Sequence, residues 1–225
     1  MQRLVLLASA SCSATAPPAS LLMSVRSALE AHAASLSLSC ASVEVGSNNS
    51  PEQLTQGFDI AAVVSVRAAS VLSHDAASAL TQKFQNVCCT AAGAQSTAAS
   101  PKTLSLLFSA TPSPHCSAEG PTAPSSIRHF VAWKFRPDAA PAVDAAVDGY
   151  LNLPQAMPYF SALEVGRDMS LTPAYSVCLY STFHNAQAQH AFVHDARRIA
   201  FKEAYVKPHL ATNGVLVFDF SPAHA

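Results

Sequence analysis

Ile127-Arg128-His129-Phe130-Val131-Ala132-Trp133-Lys134-Phe135 decides the fold. Successive side chains of a strand point to opposite faces, so His129, Val131, Trp133 and Phe135 share one side and Arg128, Phe130, Ala132 and Lys134 the other. Neither side is cleanly polar. A strand with two largely apolar faces must be covered on both, for instance by a helix on one side and a second sheet on the other. Val215-Leu216-Val217-Phe218-Asp219-Phe220, near the C-terminus, reads as its counterpart.

Working outward, the same order of elements occurs twice. Leu4 to Ala8 is a short apolar strand. Pro17-Pro18 then precede Leu21, Leu22, Val25, Leu29 and Ala33, a helical spacing with proline at its start. Ala41 to Gly46 reads as a strand, Asn48-Asn49-Ser50-Pro51 as a turn, and Phe58 to Arg67 as a third strand. A helix over Ser73 to Phe84 and a strand over Thr103 to Phe108 close this half. From Ile127 the order returns: strand Phe130 to Phe135, helix Ala142 to Leu151, strand Leu163 to Gly166, strand Tyr175 to Phe183, broken helix Ala186 to Tyr205, and strand Val215 to Phe220. Val43-Glu44-Val45-Gly46 and Leu163-Glu164-Val165-Gly166 stand 120 residues apart. Ser50 and Ser170 keep that spacing. Leu107 to Pro112 against Val217 to Pro222 gives 110 instead, which requires insertions or deletions between. Thr111 to Ser126 carries four prolines with Ser and Gly and reads as a linker. Cys89 to Ser100 is low in large apolar residues and reads as loose chain.

Composition narrows the function. Of 225 residues, 50% are hydrophobic and 12% charged, about half the roughly 25% charged of an ordinary globular chain, so disorder throughout is excluded. Thirteen Lys plus Arg against fourteen Asp plus Glu leave a formal charge of −1 with no block of one sign. Neither a nucleic-acid nor a membrane partner is expected. No apolar run approaches the roughly 18 residues that span a bilayer. Met1 to Cys12 resembles a weak targeting peptide, but the repeat favours a first strand there. A cytoplasmic location follows, with an organellar one as the alternative if residues 1–16 act as a transit peptide. The six cysteines form no CxxC pair, consistent with a reducing compartment and buried thiols.

The second half carries a resemblance. Ile127 to Phe135, the Leu153-Pro154 and Met157-Pro158 turn, Glu164-Val165-Gly166-Arg167-Asp168, Ala200-Phe201 and Val215 to Phe220 together resemble the stress-responsive A/B barrel domain of the dimeric α+β barrels. The resemblance covers about Ser126 to Pro222. Residues 1–112 resemble the same domain only in element order and the Val-Glu-Val-Gly stretch. It implies an α+β fold: two ferredoxin-like halves, 1–112 and 126–222, joined by a linker over 113–125. Each is a strand-helix-strand-strand-helix-strand unit, and the two close one barrel within the chain, as a pseudo-dimer of a kind that relatives build from two chains.

Some members of that family, of the plant olivetolic acid cyclase type, close a polyketide ring in a pocket between sheet and helices, with a His and a Tyr as acid and base. His129 matches the family's first-strand His. The pocket Tyr falls on Phe192, the catalytic His on Arg198, and a strand His on Val177. Phe has no proton to give and Arg stays protonated. No catalytic residue is therefore assigned, and His129, Trp133, Val177, Phe192 and Arg198 are expected to line a pocket. His129 is either a core histidine bonded to backbone or to a helix residue, or the polar group that orients a ligand; Trp133 is either a pocket wall or core. His190 and His194 have the spacing of two metal ligands on a helix but lack a third, so no metal is expected. Glycines are scattered singly, which leaves no phosphate cradle, and no cofactor is expected. Three readings stay open: a non-catalytic scaffold that holds a small apolar or aromatic ligand or a protein partner; a cyclase- or monooxygenase-type enzyme using His129; and a structural subunit of a larger assembly.

Overall fold

The doubly apolar stretch is a strand, β6 (Ile127–Phe135), and its two faces border different cores. The computed structural model describes residues 1–9, 17–38, 40–50, 54–67, 71–91, 102–116 and 125–223. Within these, the first half runs β1 (Gln2–Ala8), α1 (Ala19–Ser35), β2 (Cys40–Ser47), β3 (Ile60–Val66), α2 (His74–Ala91) and β4 (Thr103–Ser109). A two-residue strand, β5 (Thr111–Pro112), precedes β6. Then come α3 (Ala140–Ala156), β7 (Phe160–Arg167), β8 (Val177–Phe183), α4 (Ala186–His194), α5 (Ala196–Phe201) and β9 (Leu210–Phe220). One antiparallel sheet has the order β2-β3-β1-β4 and the other β5-β7-β8-β6-β9. This is an α+β fold of two ferredoxin-like halves.

Period-two alternation sorts the side chains of each sheet into layers. In β1, Leu4 and Leu6 join Leu22, Val25, Leu29, Leu80 and Phe84 of α1 and α2. In β6, Val131, Trp133 and Phe135 join Val143, Ala146 and Tyr150 of α3. The alternate residues, Val5 and Leu7 of β1 with Phe130 and Ala132 of β6, meet inside the barrel. The fold therefore has three apolar layers, and the middle one exists only because the sheets face each other.

Both seams between the sheets are closed by backbone. Asn49 N donates to Asp219 O at 2.8 Å and Ala223 N to Val45 O at 2.7 Å; at the other seam Met169 N donates to Leu107 O at 2.6 Å, beside an antiparallel bridge between Phe108 and Asp168. The two matching glycines explain how the strands approach so closely. A Cβ on Gly166 would lie 2.1 Å from Ser109 O, and one on Gly46 would lie 2.5 Å from the Phe220 ring and 2.6 Å from Ser221 O.

The matching glutamates reach across as well. Glu164 of β7 pairs with Arg3 of β1, and Glu44 of β2 accepts from Arg128 of β6 at 2.5 and 2.8 Å. The Tyr180 hydroxyl donates to Glu44 at 2.5 Å, and the Arg3 guanidinium lies 4.6 Å from the centre of the Tyr180 ring. Burial would raise the Glu44 pKa, but hydrogen bonds and charge from Arg128 hold it below the usual range. Burial, followed by the nearby Glu44 charge, pushes the Tyr180 phenol well up. These exchanged ion pairs tie each half to the other rather than to itself.

Four local expectations need correcting. Cys89, Thr90 and Ala91 are the end of α2, not loose chain, and the remainder of that stretch lies outside the described residues. Thr111 and Pro112 leave the linker to pair with Val165 and Glu164 of β7. Leu153 and Pro154 lie in the last turn of α3, and the chain turns only after Met157. Finally, Leu4 faces Leu107 just as His129 faces Asp219, and Arg3 faces Phe108 just as Arg128 faces Phe220. Phe108 thus corresponds to Phe220, two residues along from the match of letters, because hydrogen-bond register, not identity, fixes strand position.

Candidate functional site

Strand register builds the site around His129. On β6, His129 stands opposite Asp219 of β9 and Ser181 of β8, all on the helix-covered face. His129 Nδ1 meets Asp219 Oδ1 at 2.5 Å, and each side chain is 1% exposed. Burial alone would raise the Asp219 pKa. The charge and hydrogen bond of His129, with a hydrogen bond from Ser50, hold it below the usual carboxylate range. Nδ1 being committed to the carboxylate, Nε2 is the nitrogen left for other chemistry.

Helix α4 supplies the lid. Its N-cap Asn185 accepts from Ala188 N, which fixes the first turn and directs Gln189 and Phe192 inward. Gln189 is drawn toward Asp219, yet its Nε2 is buried without a hydrogen bond of normal geometry. Phe192 lies edge-on to His129 at 6.2 Å between ring centres, and Phe183 likewise at 5.9 Å. Phe160 completes the group, 4.7 Å from Phe192 and 5.1 Å from Phe183. Two of these rings pack directly against the imidazole, and Phe160 backs both.

The five residues expected to line one pocket fall into two groups. His129 and Phe192 touch, and the Arg198 guanidinium caps the outer face of Phe192 at 5.0 Å while Nη1 donates to Val193 O at 3.0 Å. Trp133 and Val177 pair with each other further along the strands, about 13 Å from His129 by strand rise. There Trp133 stacks on Tyr150 at 4.6 Å, and Tyr150 meets Phe201 edge-on at 5.0 Å. Burial drives the Tyr150 phenol far above its ordinary pKa, so it stays protonated.

His190 and His194 stack at 4.1 Å, and His194 Nδ1 bonds His190 O at 2.8 Å, a use of the ring that competes with metal ligation. Among the described residues no group of three His, Cys, Asp or Glu converges. The helix break at Asp195 has a local cause. Its carboxylate caps α5 by accepting from Arg197 N at 2.8 Å and also accepts from Tyr159 OH at 3.0 Å.

Sequence reasoning missed Asp219 as the partner of His129, having looked for backbone or a helix residue. A carboxylate inside Val-Leu-Val-Phe-Asp-Phe was a signal, since a buried charge needs a partner. The same signal stood at Glu44 and Glu164, each set between apolar neighbours. Ser50 and Gln189 had no such mark.

Residues 127–222 match the family model of the stress responsive A/B barrel domain. No curated protein matches the chain. Among solved structures, a proposed monooxygenase from Lactobacillus acidophilus superposes with a TM-score of 0.59 at 10% identity, over 99% of this chain and 94% of that one. One from Fusobacterium nucleatum gives 0.58 at 11% identity, covering 99% and 93%. An anthrone oxidase-like protein gives 0.59 at 13% identity, covering 99% and 91%. At such identities the likeness is one of fold, and it extends over both halves.

Proposed function

We propose, from a chain whose residues 127–222 belong to the stress-responsive A/B barrel family, that it serves as a non-catalytic barrel scaffold. Its two halves, 1–112 and 126–222 with the connection 113–125, are diverged copies of one unit and make a pseudo-dimer in one chain. The observation that carries this reading is the aromatic packing against His129, where Phe183 and Phe192 lie edge-on to the imidazole and Phe160 packs against both. The His129–Asp219 pair then ties β6 to β9. A cytoplasmic location goes with this reading. Among the described residues no helix is long and apolar enough to cross a membrane.

A second reading, a cofactor-free oxygenase or cyclase acting through His129 Nε2, is favoured by one asymmetry. The first half keeps Leu4 and Leu107 where the second keeps His129 and Asp219, so packing alone does not demand a buried ion pair there. Two of the structural neighbours bear monooxygenase names and a third an anthrone oxidase-like one. Oxygen consumption and product formation with an anthrone or a linear polyketide separate the readings. The scaffold gives no turnover above buffer. Turnover that His129→Leu abolishes while the folded fraction is unchanged would establish the enzyme.

A further inference from the structure

The end of the barrel where β1 and β6 finish is open, as a cleft of about 710 Å³. Phe58, Lys102 and Leu104 of the first half and Lys134, Tyr175 and Asn213 of the second line it together. Its floor is aromatic, because Phe58 and Tyr175 are the last members of the core inside the barrel. Its rim is cationic. Lys102 Nζ lies 4.7 Å over the Phe58 ring and donates to Gln56 O at 3.0 Å. Lys134 is the one exposed residue of β6, and among the described residues it has no hydrogen-bond or ion-pair partner. No carboxylate lines the cleft among the described residues, although the whole chain carries a formal charge of −1. The positive rim is therefore a local arrangement.

The backbone around it is unusual as well. Gln56 and Asn213, both in the lining, hold φ of 53° and 52°, two of three non-glycine residues with positive φ among the described residues. Backbone strain of that kind collects where a site must be shaped. Thr212 also lines the rim. The volume falls in the usual range for small-molecule sites, and an apolar floor with a few polar groups is their usual make-up.

We propose that this cleft binds a small aromatic carboxylate, with its anionic group at Lys102 and Lys134 and its ring against Phe58 and Tyr175. Two ammonium groups and no guanidinium suit a compact anion better than one that needs a bidentate fork. The site draws on both sheets and exists only in the paired chain. It is separate from the cage around His129, which lies on the helix-covered face, so the two proposals stand or fall independently.

Isothermal titration of the full chain with 2-naphthoate, and with its neutral analogue 2-naphthalenemethanol, tests the proposal. Naphthoate is expected to bind more tightly than the alcohol and to weaken as salt is raised. Lys134→Met and Lys102→Met should each lower its affinity about threefold to fivefold, the size of one partly exposed charge pair. Lys83→Met, in the separate groove between α1 and α2, should leave it unchanged. Equal binding of acid and alcohol, unchanged affinity in both cleft variants, or weakening only in Lys83→Met would each overturn the proposal. So would the absence of naphthoate binding at roughly millimolar concentration.

Discussion

Replacing His129 and Asp219 by leucine, singly and together, tests what their pair does. Leucine is the informative choice because Leu4 and Leu107 hold the corresponding places in the first half, buried and side by side. Both members of the polar pair are 1% exposed and 2.5 Å apart. His129→Leu leaves the Asp219 carboxylate buried with only Ser50 to support it, and Asp219→Leu strands the imidazole among Phe183 and Phe192. Breaking a buried pair in this way costs about 3–5 kcal/mol. At about 2–4 °C per kcal/mol for a chain of this size, each single variant should melt roughly 6–20 °C lower. The double variant replaces the pair by apolar side chains, and such exchanges are neutral or stabilising by about 1–4 kcal/mol. Half-buried Ser50 can turn to water, so its loss of an acceptor adds little. The double variant should therefore melt at or above the wild-type temperature, with a coupling beyond the usual ~3 kcal/mol. Thermal melts by far-UV circular dichroism, with the folded baseline checked by Trp133 emission, read this directly. Additive losses in the double variant would refute the reasoning, since the surroundings would then demand the charges themselves.

The remaining expectations follow from the same geometry. Asp219 binds its proton less tightly folded than unfolded. Its contribution to stability is complete above the ordinary carboxylate pKa of about 3.9 and is lost as pH falls below it; the acid limb of a stability–pH curve should shrink in the double leucine variant. Gly166→Ala puts a methyl on the Ser109 carbonyl and should cost about 3 kcal/mol, the upper end for overpacking, because backbone cannot rotate away; a melt unchanged from wild type would contradict the seam. Arg3→Leu leaves Glu164 buried without its partner and should destabilise by about 3–5 kcal/mol, measurable by urea titration. Trp133, the single tryptophan, reports on the second half, while far-UV dichroism reports on both. The two should unfold at one urea midpoint because the sheets share the layer inside the barrel; separate midpoints would show that the halves stand alone.

What the sequence determined by itself was local and periodic. Alternation in Ile127 to Phe135 required a cover on both faces, and the structure supplies α3 and α4 on one and the opposite sheet on the other. The Pro17-Pro18 entry, the repeated element order and the paired Val-Glu-Val-Gly and Leu-Glu-Val-Gly stretches are carried by neighbours in the chain, and such signals survive without coordinates. What only the tertiary structure decided depends on register between strands far apart in sequence. Asp219 became the partner of His129 because β9 lies beside β6 in one register; a slip of one residue would have turned it into the barrel. Register also aligned Phe108 with Phe220, and it set Glu44 against Arg128 and Glu164 against Arg3 across the seams. The cage of Phe160, Phe183 and Phe192 arose in the same way, from three elements whose rings meet only once the sheet and helices have packed.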